Sequence, residues 1–343
     1  MENDPPPIAD PAPSEVPAKR GFVRRFFAYP LVQAFIGAFF VLLAMGLTAA
    51  FGGLIGIKGG EESPILALMI ALAIVLTWKG YKRWIEREPD REFALRGAVP
   101  EFAAGLASGL ALFTLMTGVV WLMGGITFDG VNPIGQTKLA YWTAIAIFSA
   151  FSEEVLIRGL LFRAVEKVAG SWIALAITAA LFGAGHIFNP GATWFAALAI
   201  ALEAGIILGA AYMLTRRLWL AIGFHAAWNF TQGWVFSIPV SGTGSGSAGL
   251  IATTRSGPEW LTGGAFGLEA SVVAMVVATG AGLLLLWRVR RDGGFVAAHG
   301  TATGPFRRSY RGRYPRPPAR LARSLACPAS RGSRSAIRRC GGH

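Results

Sequence analysis

Long apolar stretches separated by short charged ones dominate the chain. A membrane-spanning helix needs about 20 largely uncharged residues, because the hydrocarbon core is roughly 30 Å thick and each residue rises about 1.5 Å. Eight stretches have that pattern, near 32–56, 64–78, 102–126, 139–160, 171–188, 192–214, 218–238 and 268–287. The pattern predicts an all-α fold, a polytopic transmembrane helix bundle with about eight spanning helices. Composition agrees: 53% of the 343 residues are hydrophobic and only 15% are charged, far more apolar than a soluble domain of this size.

The charged stretches set an orientation, since Lys and Arg are retained on the cytoplasmic side. Clusters at 19–25, 79–96, 158–167, 216–217 and 288–291 put eighteen Lys and Arg on one side, against Lys58, Lys138 and Arg255 on the other. Both termini are expected to be cytoplasmic, in the plasma membrane of a bacterium. Residues 1–31, with Pro5, Pro6, Pro7, Pro11, Pro13 and Pro17 among acidic residues and no run like a cleavable signal peptide, read as a disordered lead. The helix bundle is expected over 32–288, and a basic disordered cytoplasmic tail over 289–343.

That tail changes how the net charge of +13 is understood. From Arg288 onward there are 14 Arg and one acid, Asp292, so the preceding residues balance to zero. Anionic lipid headgroups are the partner this charge suits, at about 1 kcal/mol per basic residue near the surface. Nucleic acid is not expected, because no aromatic stacking module accompanies the charge. Cys327 and Cys340 both lie in the tail, so neither a disulfide nor a Cys ligand is expected in the bundle. Two connectors complete the organisation. Tyr81 to Gly97, with Trp84, Ile85, Phe93 and Leu95, suits a cytoplasmic membrane interface or a solvated loop, and the Gly- and Ser-rich stretch from Ser237 to Gly267 is expected to be mobile.

Ionisable side chains inside spanning segments cost about 2.5–3.5 kcal/mol on insertion scales, so each one marks a candidate functional position. Here they are Glu153, Glu154 and Arg158 in the fourth segment, His186 in the fifth, Glu203 in the sixth, and His225 with Asn229 in the seventh. The fourth and fifth segments turn near Ala169 and Gly170. Glu153 and His186 stand almost equally far from that turn, about 24 Å at helical rise. His225 reaches the same level if the hairpin protrudes about 12 Å into the cytoplasm.

Spacing sorts the roles. Glu154 and Arg158 at i, i+4 share a helix face and read as a supporting ion pair, whereas Glu153 points about 100° away. His225 and Asn229 share a face, as do Phe182 and His186. A carboxylate facing a histidine can deprotonate a water, and a second His with an Asn can donate to a developing oxyanion. The same set could instead ligate zinc through Glu153, His186 and His225 with one open position, or work without metal. No HExxH helix is present. Glu203 either lines the cavity or caps a buried polar contact, and Glu101 and Glu269, at segment ends, read as interfacial.

In order along the chain stand Glu153-Glu154-Val155-Leu156-Ile157-Arg158, Phe182-Gly183-Ala184-Gly185-His186 and His225-Ala226-Ala227-Trp228-Asn229. This succession of EExxxR, FxxxH and HxxxN resembles the CPBP family of intramembrane proteases, also called the CAAX prenyl endopeptidase and bacteriocin-processing or Abi family. It covers residues 139–235. The resemblance implies a glutamate- or metal-dependent endopeptidase opening towards the cytoplasm and acting on a peptide or protein that can carry a lipid. In it Glu153 and His186 would activate water, His225 and Asn229 would stabilise the oxyanion, and Glu154 and Arg158 would hold the site in shape. Two rivals stay open: a proton-coupled transporter using Glu153, Glu203 and His186 as a relay, and a non-catalytic membrane immunity or adaptor protein.

Overall fold

The computed structural model describes residues 21–57, 63–244 and 248–298. Residues 1–20 of the expected lead and 299–343 of the basic tail lie outside the described residues. The chain begins with α1 (Phe22–Phe27), inside the stretch read as lead, then α2 (Pro30–Leu54) and α3 (Pro64–Gly80), with a π-helical turn over Tyr81–Glu86. Proline at the first position starts both long helices, where its missing N–H has no partner to lose. Next come α4 (Ala98–Leu122), strand β1 (Ile126–Val131), and a continuous helical run made of α5 (Leu139–Glu153), a π-helical segment Glu154–Phe162 and α6 (Arg163–Ala169).

After the turn at Gly170, α7 (Ser171–Gly185) leads to α8 (Trp194–Ile200), which continues through a π-helical turn at Ala201–Gly205 into α9 (Ile206–Thr215). α10 (Trp219–Phe230) ends in another π-helical turn, Thr231–Val235. Strand β2 (Ile251–Arg255), α11 (Glu259–Thr262) and α12 (Val272–Arg291) complete the described chain. The helical polytopic bundle anticipated from the apolar stretches is what forms. Among the described residues six helices are long and apolar enough to cross a membrane: 30–54, 64–86, 98–122, 171–188, 194–215 and 272–291. The two anticipated spans outside that set, 139–160 and 218–238, correspond to helical runs over 139–169 and 219–235 that carry Glu153, Glu154, Arg158, His225 and Asn229. Their polar cargo and the shortness of the second separate them from the other six.

Large apolar side chains such as Phe35, Phe39, Leu47, Leu72 and Leu284 face outward, as lipid allows and water does not. Inside, small residues bring backbones together. A Cβ on Gly105 or Gly109 of α4 would strike the backbone of Leu220 or Phe224 on α10, and one on Gly223 would strike Phe102. The sequence therefore fixes how closely α10 sits against the bundle.

At the end where the basic clusters converge, opposite charges are interleaved rather than repelling. Arg163, 4% exposed, pairs with Glu92 at 2.8 Å and Glu86 at 2.7 Å, and its guanidinium lies 5.4 Å from the Trp78 ring centroid. Lys82 shares Glu86 at 2.6 Å, and Lys167 reaches it at 3.4 Å. Burial, reinforced by the neighbouring Arg163 guanidinium, holds the Lys167 ammonium below the usual lysine range. The 81–97 connector thus supplies counter-charges, with Phe93 buried while Trp84 and Leu95 remain exposed.

Gly170, at φ 82°, makes the turn after α6 that the sequence places there. Against this turn lies the chain that follows α12. Ser171 N–H donates to Val296 O at 3.0 Å, Val296 N–H returns a bond to Ser171 Oγ at 2.8 Å, and Phe295 packs on Trp172. The packed chain therefore continues past residue 288, the boundary expected for the bundle.

The opposite end corrects one expectation. The stretch 237–267 was expected to be mobile, yet β2 pairs antiparallel with β1, from Ile126 opposite Arg255 to Val131 opposite Ile251, with an irregularity between Phe128 and Gly130. Phe236, Ile238, Val240, Leu261 and Phe266 are buried beneath it. A core this apolar outweighs the flexibility its glycines confer. The two-stranded ribbon is the only sheet among the described residues.

Replacing Arg163 by Met leaves Glu86 and Glu92 buried with weaker compensation. The expected cost is about 3–5 kcal/mol, read as a fall in the thermal unfolding midpoint of the purified protein in detergent.

Candidate active site

Glu154 is the most enclosed of the motif residues, 0% exposed. Its Oε1 accepts from Arg158 at 2.9 Å, the i, i+4 pair anticipated from spacing. A buried carboxylate is tolerated only when paired and hydrogen-bonded. Arg158 is likewise enclosed; its Nε has no hydrogen-bond partner among the described residues, but its outer end finds acceptors on another helix. Its second terminal nitrogen donates to the carbonyls of Ala204 at 3.1 Å and Gly205 at 3.4 Å. Those carbonyls belong to the π-helical turn at 201–205, where the wider winding interrupts the ordinary i to i+4 ladder. The guanidinium also lies 4.5 Å from the Phe182 ring centroid.

α10 approaches the same point from the other side. His225 Nδ1 stands 3.0 Å from Glu154 Oε1, and its Nε2 stands 3.8 Å from Glu153 Oε2. One turn further on, Asn229 Nδ2 donates to Ser149 Oγ at 2.8 Å, and the Ser149 hydroxyl donates to Ile145 O at 2.8 Å. Next, a Cβ on Gly233 would collide with the Trp142 ring. Numbers rise along α10 as they fall along α5, so the helices are antiparallel and meet in successive rungs: Glu153 and Glu154 with His225, Ser149 with Asn229, Trp142 with Gly233. Ser149 was not among the sequence candidates. Its signal was present, because Ser149 and Glu153 repeat the i, i+4 spacing of His225 and Asn229.

The paired glutamates are separated by exposure. The Glu153 side chain is 33% exposed, while its Oε2 is buried and accepts no hydrogen bond among the described residues. It is the carboxylate of the pair that a small molecule can reach. His186 occupies a tight turn after α7 and is half-buried. Its Nδ1 lies 2.7 Å from Phe182 O, and a carbonyl only accepts, so Nδ1 carries the hydrogen and Nε2 of the neutral ring keeps its lone pair. The Phe182 ring, 4.9 Å from that of His186, stands 6.2 Å from that of His225. Phe182 is thus the common neighbour of the two imidazoles. Glu153, Glu154, Arg158, His225 and Asn229 are joined by contacts along α5 and α10, and His186 joins them through Phe182.

Zinc needs three protein ligands and an open position. Among the described residues no group of three or more His, Cys, Asp or Glu is gathered closely enough to hold a metal ion. Glu153 faces His225, while the Nδ1 bond of His186 to its own helix leaves its Nε2 lone pair available.

Two further acids depart from their sequence reading. Glu269, read as interfacial, is 2% exposed and accepts from the Ser241 backbone N–H. Glu203 is fully buried, neither carboxyl oxygen has a hydrogen-bond partner among the described residues, and its electrostatic neighbour is Glu269. Glu101, also read as interfacial, is partly exposed and pairs with Arg217 at 3.0 Å.

Residues 135–231 match the family model described as Type II CAAX prenyl endopeptidase Rce1-like. No curated protein and no solved structure matches the chain. The matched segment contains all six motif residues together with Ser149 and Phe182, and it stops short of β2, α11, Glu269 and α12. The family that this model describes is one of CAAX-type peptidases. Six helices long and apolar enough to cross a membrane suggest an integral membrane protein, and its residues 135–231 are similar to the Rce1-like CAAX prenyl endopeptidases.

Proposed function

We propose that the chain is an intramembrane endopeptidase that hydrolyses a peptide bond of a membrane-associated protein or peptide. The observation that carries this reading is the pair of rungs between α5 and α10. They set an accessible carboxylate, Glu153, against an imidazole, with an amide one turn away.

Glu153 takes a proton from a water that also hydrogen-bonds to the lone pair on His186 Nε2. The water oxygen attacks the scissile carbonyl carbon, and the carbonyl π electrons move onto its oxygen. His225 Nε2 and Asn229 Nδ2 donate to that oxyanion. For His225 to donate at Nε2 while Nδ1 donates to Glu154, the ring must carry both protons, a charge that Glu153 and Glu154 on either side balance. Collapse of the intermediate breaks the C–N bond, and Glu153 passes its proton to the leaving amine. Arg158 keeps Glu154 in place and so keeps His225 turned.

The family name supplies a substrate class, a prenylated peptide ending in a CAAX sequence. The inner end is assigned to the cytoplasm of a bacterial cell, supported by the convergence of Arg163, Lys167, Arg216 and Arg217 there. The arginines after residue 298 are read as a contact for anionic headgroups of the same leaflet.

Purified protein in nanodiscs is expected to cleave a quenched prenylated CAAX peptide. Glu153→Gln should lower kcat by at least about 100-fold, and Asn229→Ala by about 100- to 1000-fold with little change in KM. Wild-type rates in both variants would defeat the mechanism. A chelator is expected to leave the rate unchanged, whereas loss restored by added zinc would replace this scheme with a metal-dependent one. Glu203→Gln should cleave like the wild type; a transporter reading instead predicts that Glu203 matters as much as Glu153 and that no peptide is cut.

A further inference from the structure

Glu269 precedes α12 and lies outside residues 135–231, yet it is enclosed as fully as the motif residues. The backbone N–H of Ser241 donates to its carboxylate, and Trp228 of α10 is an electrostatic neighbour. Each leads back to the site. The Ser241 carbonyl accepts from Asn189 Nδ2 at 3.0 Å, and the Asn189 N–H closes the turn onto His186 O at 3.1 Å. Trp228 follows His225 by three residues on α10. One carboxylate is therefore fastened through hydrogen bonds to the turn that carries His186, and it lies near the helix that carries His225.

The connecting loop is held under conformational load. Ser241 sits at φ 45°, a left-handed setting unfavourable for a side chain-bearing residue and kept only where surrounding structure over-determines it. Its neighbour Gly242, at φ 80°, lies so close to Pro190 that a Cβ would strike the Pro190 carbonyl. Gly242 N–H also donates to Phe266 O at 2.7 Å. The loop is pressed onto the Asn189–Pro190 backbone and pinned from behind.

His186 needs such a fixture. Among the described residues its ring is hydrogen-bonded only to the Phe182 carbonyl of its own helix, and it stands at that helix's end, where backbone frays most readily. We infer that Glu269 is a positioning residue for His186, acting through a strap of hydrogen bonds from Glu269 to Ser241 to Asn189. Its task is to accept the Ser241 N–H, which a carboxamide oxygen can also do. The strap stands on these contacts alone; its consequence for turnover rests on the peptidase reading above.

The test uses the full-length protein in nanodiscs with Glu269→Gln, Glu269→Ala, Asn189→Ala and the Glu269→Ala/Asn189→Ala double variant. Two quantities are read: cleavage of the prenylated CAAX peptide, and the rate at which diethylpyrocarbonate modifies His186, followed by mass spectrometry. Glu269→Ala and Asn189→Ala are expected to lower kcat by up to about 100-fold with KM unchanged, as for a displaced catalytic group. The double variant should lose no more than either alone. Glu269→Gln should behave as wild type, and His186 should react several-fold faster only where the strap is cut. Equal His186 reactivity in all variants overturns the inference, as does Glu269→Gln matching Glu269→Ala. Asn189→Ala empties no buried site, so it decides the matter even where Glu269→Ala fails to fold. A wild-type protein that cuts nothing counts against the peptidase reading, while the His186 reactivities still decide the strap.

Discussion

Everything else in the site follows from enclosing Glu154. A carboxylate that is wholly out of solvent must be met by cationic or donor groups. Arg158 meets it along the same helix and His225 across the bundle, both at Oε1. That second bond fixes the register between α5 and α10, because shifting α10 by one residue would turn His225 away by about 100°. Once the register is set, Asn229 can meet only Ser149, and Glu153, its neighbour's rotation away, is left as the carboxylate that can be reached. The difference in exposure between the two adjacent glutamates therefore arises from helix geometry and not from any difference in their chemistry.

The departures from α-helical winding fall where this arrangement demands them. The π-helical segment that begins at Glu154 carries both Glu154 and Arg158, and the one at 201–205 presents the two carbonyls that satisfy the far side of Arg158. An ordinary helix would commit those carbonyls to its own ladder and leave a buried guanidinium short of acceptors. Small residues make the approach feasible: Gly183 packs against the Ala197 backbone and Gly205 against Ala179. The bundle thus joins charge satisfaction to close backbone contact.

What could be seen in the sequence was what is local or periodic. The apolar lengths gave the helices to within a few residues, Gly170 gave the hairpin, and i, i+4 spacing gave the Glu154–Arg158 pair and the Phe182–His186 ring contact. The equal reach of Glu153 and His186 from Gly170 also follows from rise per residue alone. Hidden from such reasoning was whatever depends on contacts between distant segments. Ser149 looked like an ordinary helix serine until α10 was placed beside it. The ribbon of Ile126–Val131 and Ile251–Arg255 lacks a clean alternation, since all of β1 after Ile126 faces outward, and the glycines between Ser237 and Gly267 masked the buried core beneath. Glu269 looked interfacial because helix ends usually are, and only the folded loop at Ser241 encloses it.

The two histidines show why a single motif residue never carries a role by itself. Both use Nδ1 as an anchor, but His186 gives its Nδ1 proton to a carbonyl and His225 faces a carboxylate. With Nδ1 donating to a carbonyl, the neutral form of the ring has its lone pair on Nε2, which suits holding a water. A carboxylate anchor, with a second carboxylate beyond Nε2, suits a ring that carries both protons and donates. Exchanging the two environments would exchange the two proposed roles, though the residues are chemically identical. The spacing of FxxxH and HxxxN records this only indirectly: in the first the motif's own helix provides the anchor, and in the second the anchor must come from EExxxR on another helix. The motifs are therefore interdependent, and the α5–α10 register is the physical link between them.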